Sequence, residues 1–268
     1  MAGMQELFRF SSGRMHALIE GPQRSKLALA VCQTDLATLP VDHLRRVREP
    51  VTRSKANVQG KVADVFAGRS RHAESQNELK AFRVLMATGR SDAWQEQPFC
   101  LEYHHEGAQH RYTPDILVVW GAHQEVVEIK EDADAESPEH QARFAVIKEL
   151  LAAHGFHFRV WKKSEICAEP RLRNATLILR YRSVAVPALH NEGIRRAFSS
   201  TPELPLRALC GNSLEIQDVL RLVLDGQLHI DWWEPLNLDS RVSRTPIGRQ
   251  TWPSPPPALE EPVCRCTR

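Results

Sequence analysis

The stretch Tyr112 to Lys130, YTPDILVVWGAHQEVVEIK, limits what this chain can fold into more than any other. Both flanks of Gly121 are rich in β-branched and aromatic residues and too short for helices, so the segment reads as two strands joined by a tight reversal. With the reversal centred on Gly121 and Ala122, Asp115 falls opposite Glu128, and such cross-strand side chains share one face with Cβ atoms roughly 4.5–5.5 Å apart. Strand alternation puts Lys130 on that face too, about 7 Å further along the backbone, and turns Ile129 to the other, buried side.

Opposed carboxylates destabilise a hairpin unless positive charge lies between them. A hard divalent cation with oxygen ligands at about 2.0–2.1 Å suits that gap, and Mg2+ or Mn2+ is the expected ion. Such an ion polarises a phosphate and acidifies water, while the Lys130 ammonium offsets charge developing on the phosphate. That is the chemistry of phosphodiester hydrolysis. The same short pattern also describes a surface hairpin whose charges face solvent, so the rest of the chain has to decide.

Upstream, HAESQNELKAFRVLMATG places Leu79, Phe82, Leu85 and Met86 at helical spacing and predicts an amphipathic helix ended by Gly89. Glu78 lies near its start, where the helix dipole alone favours an acidic residue. WQEQPFCLEYHHEG has strand character. HQARFAVIKELLAAHG predicts a second amphipathic helix through Phe144, Ile147, Leu150 and Leu151, and FHFRVWKKSEI follows as a strand. The order helix, three strands, helix, strand predicts an α/β fold, a mixed sheet flanked by helices.

At this point the chain resembles the TnsA family, the endonuclease subunit of heteromeric, Tn7-like transposases, within the restriction-endonuclease-like PD-(D/E)xK group. The likeness covers roughly residues 50–240. It rests on the helix with ESQNEL, then QEQP at Gln95 to Pro98, YTPD at Tyr112 to Asp115, EIK at Glu128 to Lys130, and the GFHFRVW strand. The resemblance implies a restriction-endonuclease-like fold in which Glu78, Asp115 and Glu128 hold the metal ions, the Ile129 carbonyl adds a ligand and Lys130 assists hydrolysis. Where some members carry glutamine, this chain carries Glu128. The implied activity is cutting of the 5′, non-transferred strands at transposon-end DNA. A DDE-type transposase subunit and an AAA+ ATPase regulator are the implied partners. Two other readings stay open: a stand-alone restriction or junction-resolving nuclease of the same fold, and an inactive scaffold joining transposase to ATPase.

The 268 residues, 42% of them hydrophobic, allow one large domain or two modest ones. No run approaches the ~20 apolar residues of a membrane helix, and the start MAGMQELFRFSSGR lacks the apolar core of a secretory signal, so no membrane partner and a cytoplasmic location are expected. The six cysteines are scattered and read as reduced. The net charge of +2 says little, but Arg45, Arg46, Arg48, Arg53, Lys55 and Lys61 crowd one segment. That segment reads either as an extended DNA-binding arm that neutralises phosphates or as a solvated linker. Gln95 and Gln97 are further candidate DNA or metal-shell contacts, with a polar strand start before Pro98 as the alternative. The acidic loop EDADAESPEH lacks the spacing of a calcium loop and reads as a solvated turn leading into a helix.

Four regions follow: an N-terminal region over 1–62, a nuclease domain over 63–168, a small C-terminal domain over 169–243 and a proline-rich flexible tail over 244–268. In the third, helical signals around Asn191 to Phe198 and Leu214 to Leu224 precede a short strand through Leu228 and Ile230, a turn at Pro235 and a return. This is a winged-helix-like pattern, with at least one of Trp232 and Trp233 expected in its core. The resemblance assigns that region to partner docking.

Overall fold

The computed structural model describes residues 15–19, 27–32, 60–65, 67–88, 93–120, 123–187, 190–210 and 214–249. The chain divides into two compact units, residues 1–82 with 91–168, and residues 83–90 with 169–268.

The first unit carries a mixed four-stranded sheet. Strands β8 (Ile116–Trp120) and β9 (His123–Lys130) pair antiparallel, β5 (Ala93–Glu96) adds antiparallel to β8, and β10 (His157–Lys162) adds parallel to β9. The parallel pair needs a crossover, and the chain between its strands supplies helices α2 (Asp132–Glu136) and α3 (Pro138–Ala152). A second, antiparallel sheet has the order β1 (Met15–Ile19), β2 (Leu27–Cys32), β6 (Cys100–His105), β7 (Ala108–Tyr112). A separate hairpin pairs β3 (Gly60–Asp64) with β4 (Arg69–Ala73). Helix α1 (Gln76–Thr88) follows it, and helix α4 (Lys163–Ile166) follows β10.

One core joins these layers. Phe99, Leu101, Tyr103 and Tyr112 from the β6–β7 side, Leu117 and Val126 from β8 and β9, and Phe144, Ile147, Leu150 and Leu151 from α3 cluster together with little exposure. Burying each large apolar side chain contributes about 1.5–3 kcal/mol, enough to hold α3 against one face of the mixed sheet. Leu117 pairs with Val126 across the ladder, so Asp115, Glu128 and Lys130 follow by alternation on the face that α3 covers.

Three expectations change. The run between the two helices holds five strands, not three, because WQEQPFCLEYHHEG is not one element. Its first part pairs with β8 and its second with β7, and Gln97 between them adopts a positive φ of 44°. Glu106 and Gly107, with φ of 50° and 80°, form the two-residue turn that starts β7. The acidic loop after Lys130 is helical over Asp132–Glu136 rather than a turn. The first forty residues, which carried no readable pattern, supply two strands of the second sheet.

The second unit begins with helix α5 (Arg171–Ile178) and a 3-10 turn at Leu179–Tyr181. Then come α6 (His190–Ala197), β11 (Glu203–Pro205), α7 (Leu206–Leu209), α8 (Ile216–Leu224), β12 (His229–Ile230) and β13 (Arg241–Ser243), with sheet order β11-β13-β12. Asn174 locks α5 to the segment before β13 by donating to the carbonyls of Trp232 and Glu234 at 3.0 and 2.8 Å and accepting the Leu236 N–H at 3.2 Å. Trp232 is buried as expected, and Trp233 is half-buried with Arg171 and Arg249 over its ring at 4.9 and 5.0 Å. Residues 244–249 form neither helix nor strand, and the rest of the proline-rich tail lies outside the described residues. No described helix is long and apolar enough to cross a membrane.

Candidate active site

The register of the central hairpin decides the site. Trp120 pairs with His123 and Ile116 with Val127, so the ladder extends to Asp115 facing Glu128, as the sequence predicts. The reversal residues Gly121 and Ala122 themselves lie outside the described residues. Asp115 sits just before β8, where its Oδ2 accepts the Ile129 N–H at 2.7 Å and its backbone carbonyl accepts the Gln97 N–H at 3.0 Å. Lys130, one pleat beyond Glu128, places Nζ 2.8 Å from Glu128 Oε1. The other Glu128 oxygen accepts the Tyr112 hydroxyl at 2.7 Å. It is the N–H of Ile129 that the structure ties to the site.

Glu78 arrives from the first turn of α1. Ser75 and Glu78 form a reciprocal cap: Glu78 N–H donates to Ser75 Oγ at 3.2 Å, while the Ser75 hydroxyl and the Glu74 N–H donate to the Glu78 carboxylate at 2.8 and 2.9 Å. Asn77 donates to Glu131 Oε1 at 2.9 Å, tethering the turn to the residue after Lys130. Glu78 is 8% exposed and Glu128 6%.

The groups feel one another. Burial pushes the Asp115 carboxyl well above the usual carboxylate range, and the charges of Glu128 and Glu78 push it further, against the Ile129 N–H and Lys130. Burial raises Glu78 too, opposed by its bonds to Glu74 and Ser75 and reinforced by the charges of Glu74 and Glu128. For Lys130, burial works against the charge, yet Glu128 and Asp115 outweigh it and hold the ammonium above its usual value. Tyr112 is driven up by burial and by the same two carboxylates, so its hydroxyl stays a donor.

Oxygen donors whose ionisation is disfavoured by mutual repulsion suit a hard divalent cation. Among the described residues, no three His, Cys, Asp or Glu side chains are already gathered to hold one. Glu128 is engaged by Tyr112 and Lys130, and Glu78 by its cap. An ion held here would have to compete with those donors.

A stability test follows. Asp115 has a folded pKa above its unfolded value, so its ionisation costs nothing below the unfolded pKa and weighs against the fold as pH rises through the folded one. Asp115→Asn keeps an acceptor for the Ile129 N–H and removes the charge. At neutral pH and without divalent ions it should unfold a few degrees higher than the parent, for a gain on the order of 1 kcal/mol, and the gap should close at acid pH. Thermal melts at two pH values check this.

Of the other candidates, Gln97 is 5% exposed, and its side-chain amide donates to Glu74 Oε1 at 3.0 Å. Gln95 is buried too, accepting from Arg69 at 2.5 Å. Lys61 lies exposed in β3, on a hairpin rather than an extended arm. Arg45, Arg46, Arg48, Arg53 and Lys55 lie outside the described residues. Sequence reasoning missed Ser75, although the S-x-x-E spacing to Glu78 is a capping signature. It also missed Tyr112 as a partner of Glu128, for which no spacing gave a signal.

Comparison with known families gives one match: residues 92–163 fit the family model described as TnsA-like endonuclease N terminal, a segment that holds Asp115, Glu128 and Lys130. No curated protein matches the chain.

Proposed function

We propose that this chain, whose residues 92–163 fit a TnsA-like endonuclease family model, is a metal-dependent DNA endonuclease that cuts the 5′, non-transferred strands at the ends of a mobile element. The observation that carries the reading is the juxtaposition of Lys130 with Glu128 at 2.8 Å beside a half-buried Asp115 held by the Ile129 N–H. Glu78, Asp115 and Glu128, with the Ile129 carbonyl, would hold Mg2+ or Mn2+. When bound, the cation supplies charge neutralisation at the scissile phosphate and a more acidic water for attack.

The chain's own residues do the rest. Lys130 keeps its proton and donates to a phosphate oxygen as negative charge grows there. Tyr112 fixes the orientation of Glu128, and the Ile129 N–H fixes that of Asp115, so neither carboxylate has to be ordered when substrate arrives. The basic segment with Arg45, Arg46, Arg48, Arg53, Lys55 and Lys61 would neutralise backbone phosphates away from the cut.

In the second unit, the element order α6, β11, α7, α8, β12, β13 and the sheet order β11-β13-β12 support a winged-helix-like module. We assign it to docking on an AAA+ ATPase regulator, with a DDE-type transposase subunit cutting the 3′ strands. The four-region organisation, with its nuclease domain over 63–168, belongs to the same proposal.

Reconstitution with a DDE-type transposase and an AAA+ ATPase sought among the genes neighbouring this one, on transposon-end DNA and with each strand's break scored separately, tests the reading. We expect 5′-strand breaks that need this chain and vanish when divalent ions are chelated. Breaks that persist under chelation sink the metal, and 5′ breaks made without this chain sink the assignment.

A further inference from the structure

Arg143 stands on the face of α3 that looks toward the site. Its neighbour Phe144 is buried in the shared core, whereas Arg143 is exposed. Its guanidinium lies 5.9 Å from the centroid of the Tyr112 ring, the same tyrosine whose hydroxyl holds Glu128.

The surrounding cations are spoken for. Lys130 pairs with Glu128, Lys163 with Glu131, Lys162 with Glu136, Arg159 with Glu125, and Arg69 and Arg71 with Glu96. Arg143 has no ion pair among the described residues. An exposed guanidinium beside the Lys130–Glu128 pair, itself without an ion pair among the described residues, has donors available to an anion. Its planar fork of donors matches two phosphate oxygens, which a lysine cannot do. The ring it lies over belongs to Tyr112, a buried member of the core, so the guanidinium has a well-anchored aromatic neighbour.

We propose that Arg143 is a substrate-binding residue that grips a DNA backbone phosphate beside the cleavage site, using the Tyr112 ring as its seat. The assignment deepens the nuclease reading and rests on it for the identity of the anion. Tyr112 then joins both halves of the site, the ring under the group that holds DNA and the hydroxyl on a carboxylate that acts on it.

The test is binding, not cutting: the full chain, a fluorescent DNA duplex of arbitrary sequence, chelator present, and affinity measured over a range of salt. Arg143→Ala should weaken low-salt binding about tenfold. The slope of log affinity against log salt should become shallower by about 0.9, the release of one phosphate contact. Arg143→Lys should keep the wild-type slope and lose part of the affinity, and neither change should move the melting temperature. A wild-type slope and affinity in Arg143→Ala, or no duplex binding by the parent chain, overturns the proposal. If Arg143→Ala binds like the parent while the reconstituted parent still cuts, the phosphate contact is wrong and the nuclease reading stands. If Arg143→Ala behaves as described but no cutting is seen, the contact survives and the nuclease reading falls.

Discussion

Asp115→Ala and Lys130→Ala should each lower 5′-strand cutting by about a thousandfold or more in the reconstituted assembly, while leaving partner binding intact. Removing one electrostatic contributor from a preorganised site costs about a hundredfold to a thousandfold. Burial and the charges of Glu128 and Glu78 also push the Asp115 carboxyl well above the usual range. On the proposed reading losing it removes a metal ligand, and it leaves the Ile129 N–H without its acceptor. Losing Lys130 leaves Glu128 with Tyr112 as its one remaining donor and takes away the ammonium that meets growing phosphate charge. The two losses differ in kind. Raising the divalent ion concentration should recover some activity in Glu78→Gln, where ion affinity is reduced, but none in Lys130→Ala, where the missing charge is not a ligand. Single-turnover cutting with each strand labelled reads all of these. Parent-like rates in Asp115→Ala or Lys130→Ala would remove the site from consideration.

The facing of Asp115, Glu128 and Lys130 was legible because strand register fixes which side chains face each other. The spacing from Asp115 to Glu128 and the pleat from Glu128 to Lys130 are local consequences of strand geometry. Glu78 was readable as a helix-start residue, yet its approach depends on the Asn77 to Glu131 bond, across a sequence separation that no periodicity encodes. Tyr112 was quoted for its place in YTPD but not for its hydroxyl, because it belongs to a different sheet from the carboxylate it serves. The break at Gln97 was hidden for a related reason. Strand alternation continues on both sides of it, and only the pairing partners reveal that Glu96 and Cys100 lie in separate sheets. Polar residues in the interior were the least legible. Gln95 and Glu96 looked like a polar strand start, although both are fully buried, because the arginines that satisfy them lie more than twenty residues upstream.

Those arginines carry the largest expected stability effect. Arg71, 1% exposed, donates to Asp64 Oδ2 at 2.8 Å, to Glu96 Oε2 at 2.9 Å and to the Trp94 carbonyl at 3.1 Å, with its guanidinium 4.0 Å from the Trp94 ring centroid. It thereby ties the β3–β4 hairpin to β5, the edge of the mixed sheet. Arg71→Met keeps much of the volume and removes the charge. Breaking a buried pair by deleting one partner costs about 3–5 kcal/mol, because the remaining charge keeps its desolvation cost and loses its compensation. Glu96 retains Arg69, which grips both of its oxygens at 2.8 and 2.9 Å, so the loss falls chiefly on Asp64. The expected penalty therefore lies near the lower end, about 3 kcal/mol, readable as a fall in the urea midpoint. Adding Asp64→Asn to Arg71→Met should recover part of it, since the stranded charge is then gone and the Ala67 N–H still finds an acceptor. If the double variant is no more stable than the single one, the carboxylate at 64 was never the source of the loss, and the arginine acts through the Trp94 carbonyl and ring instead.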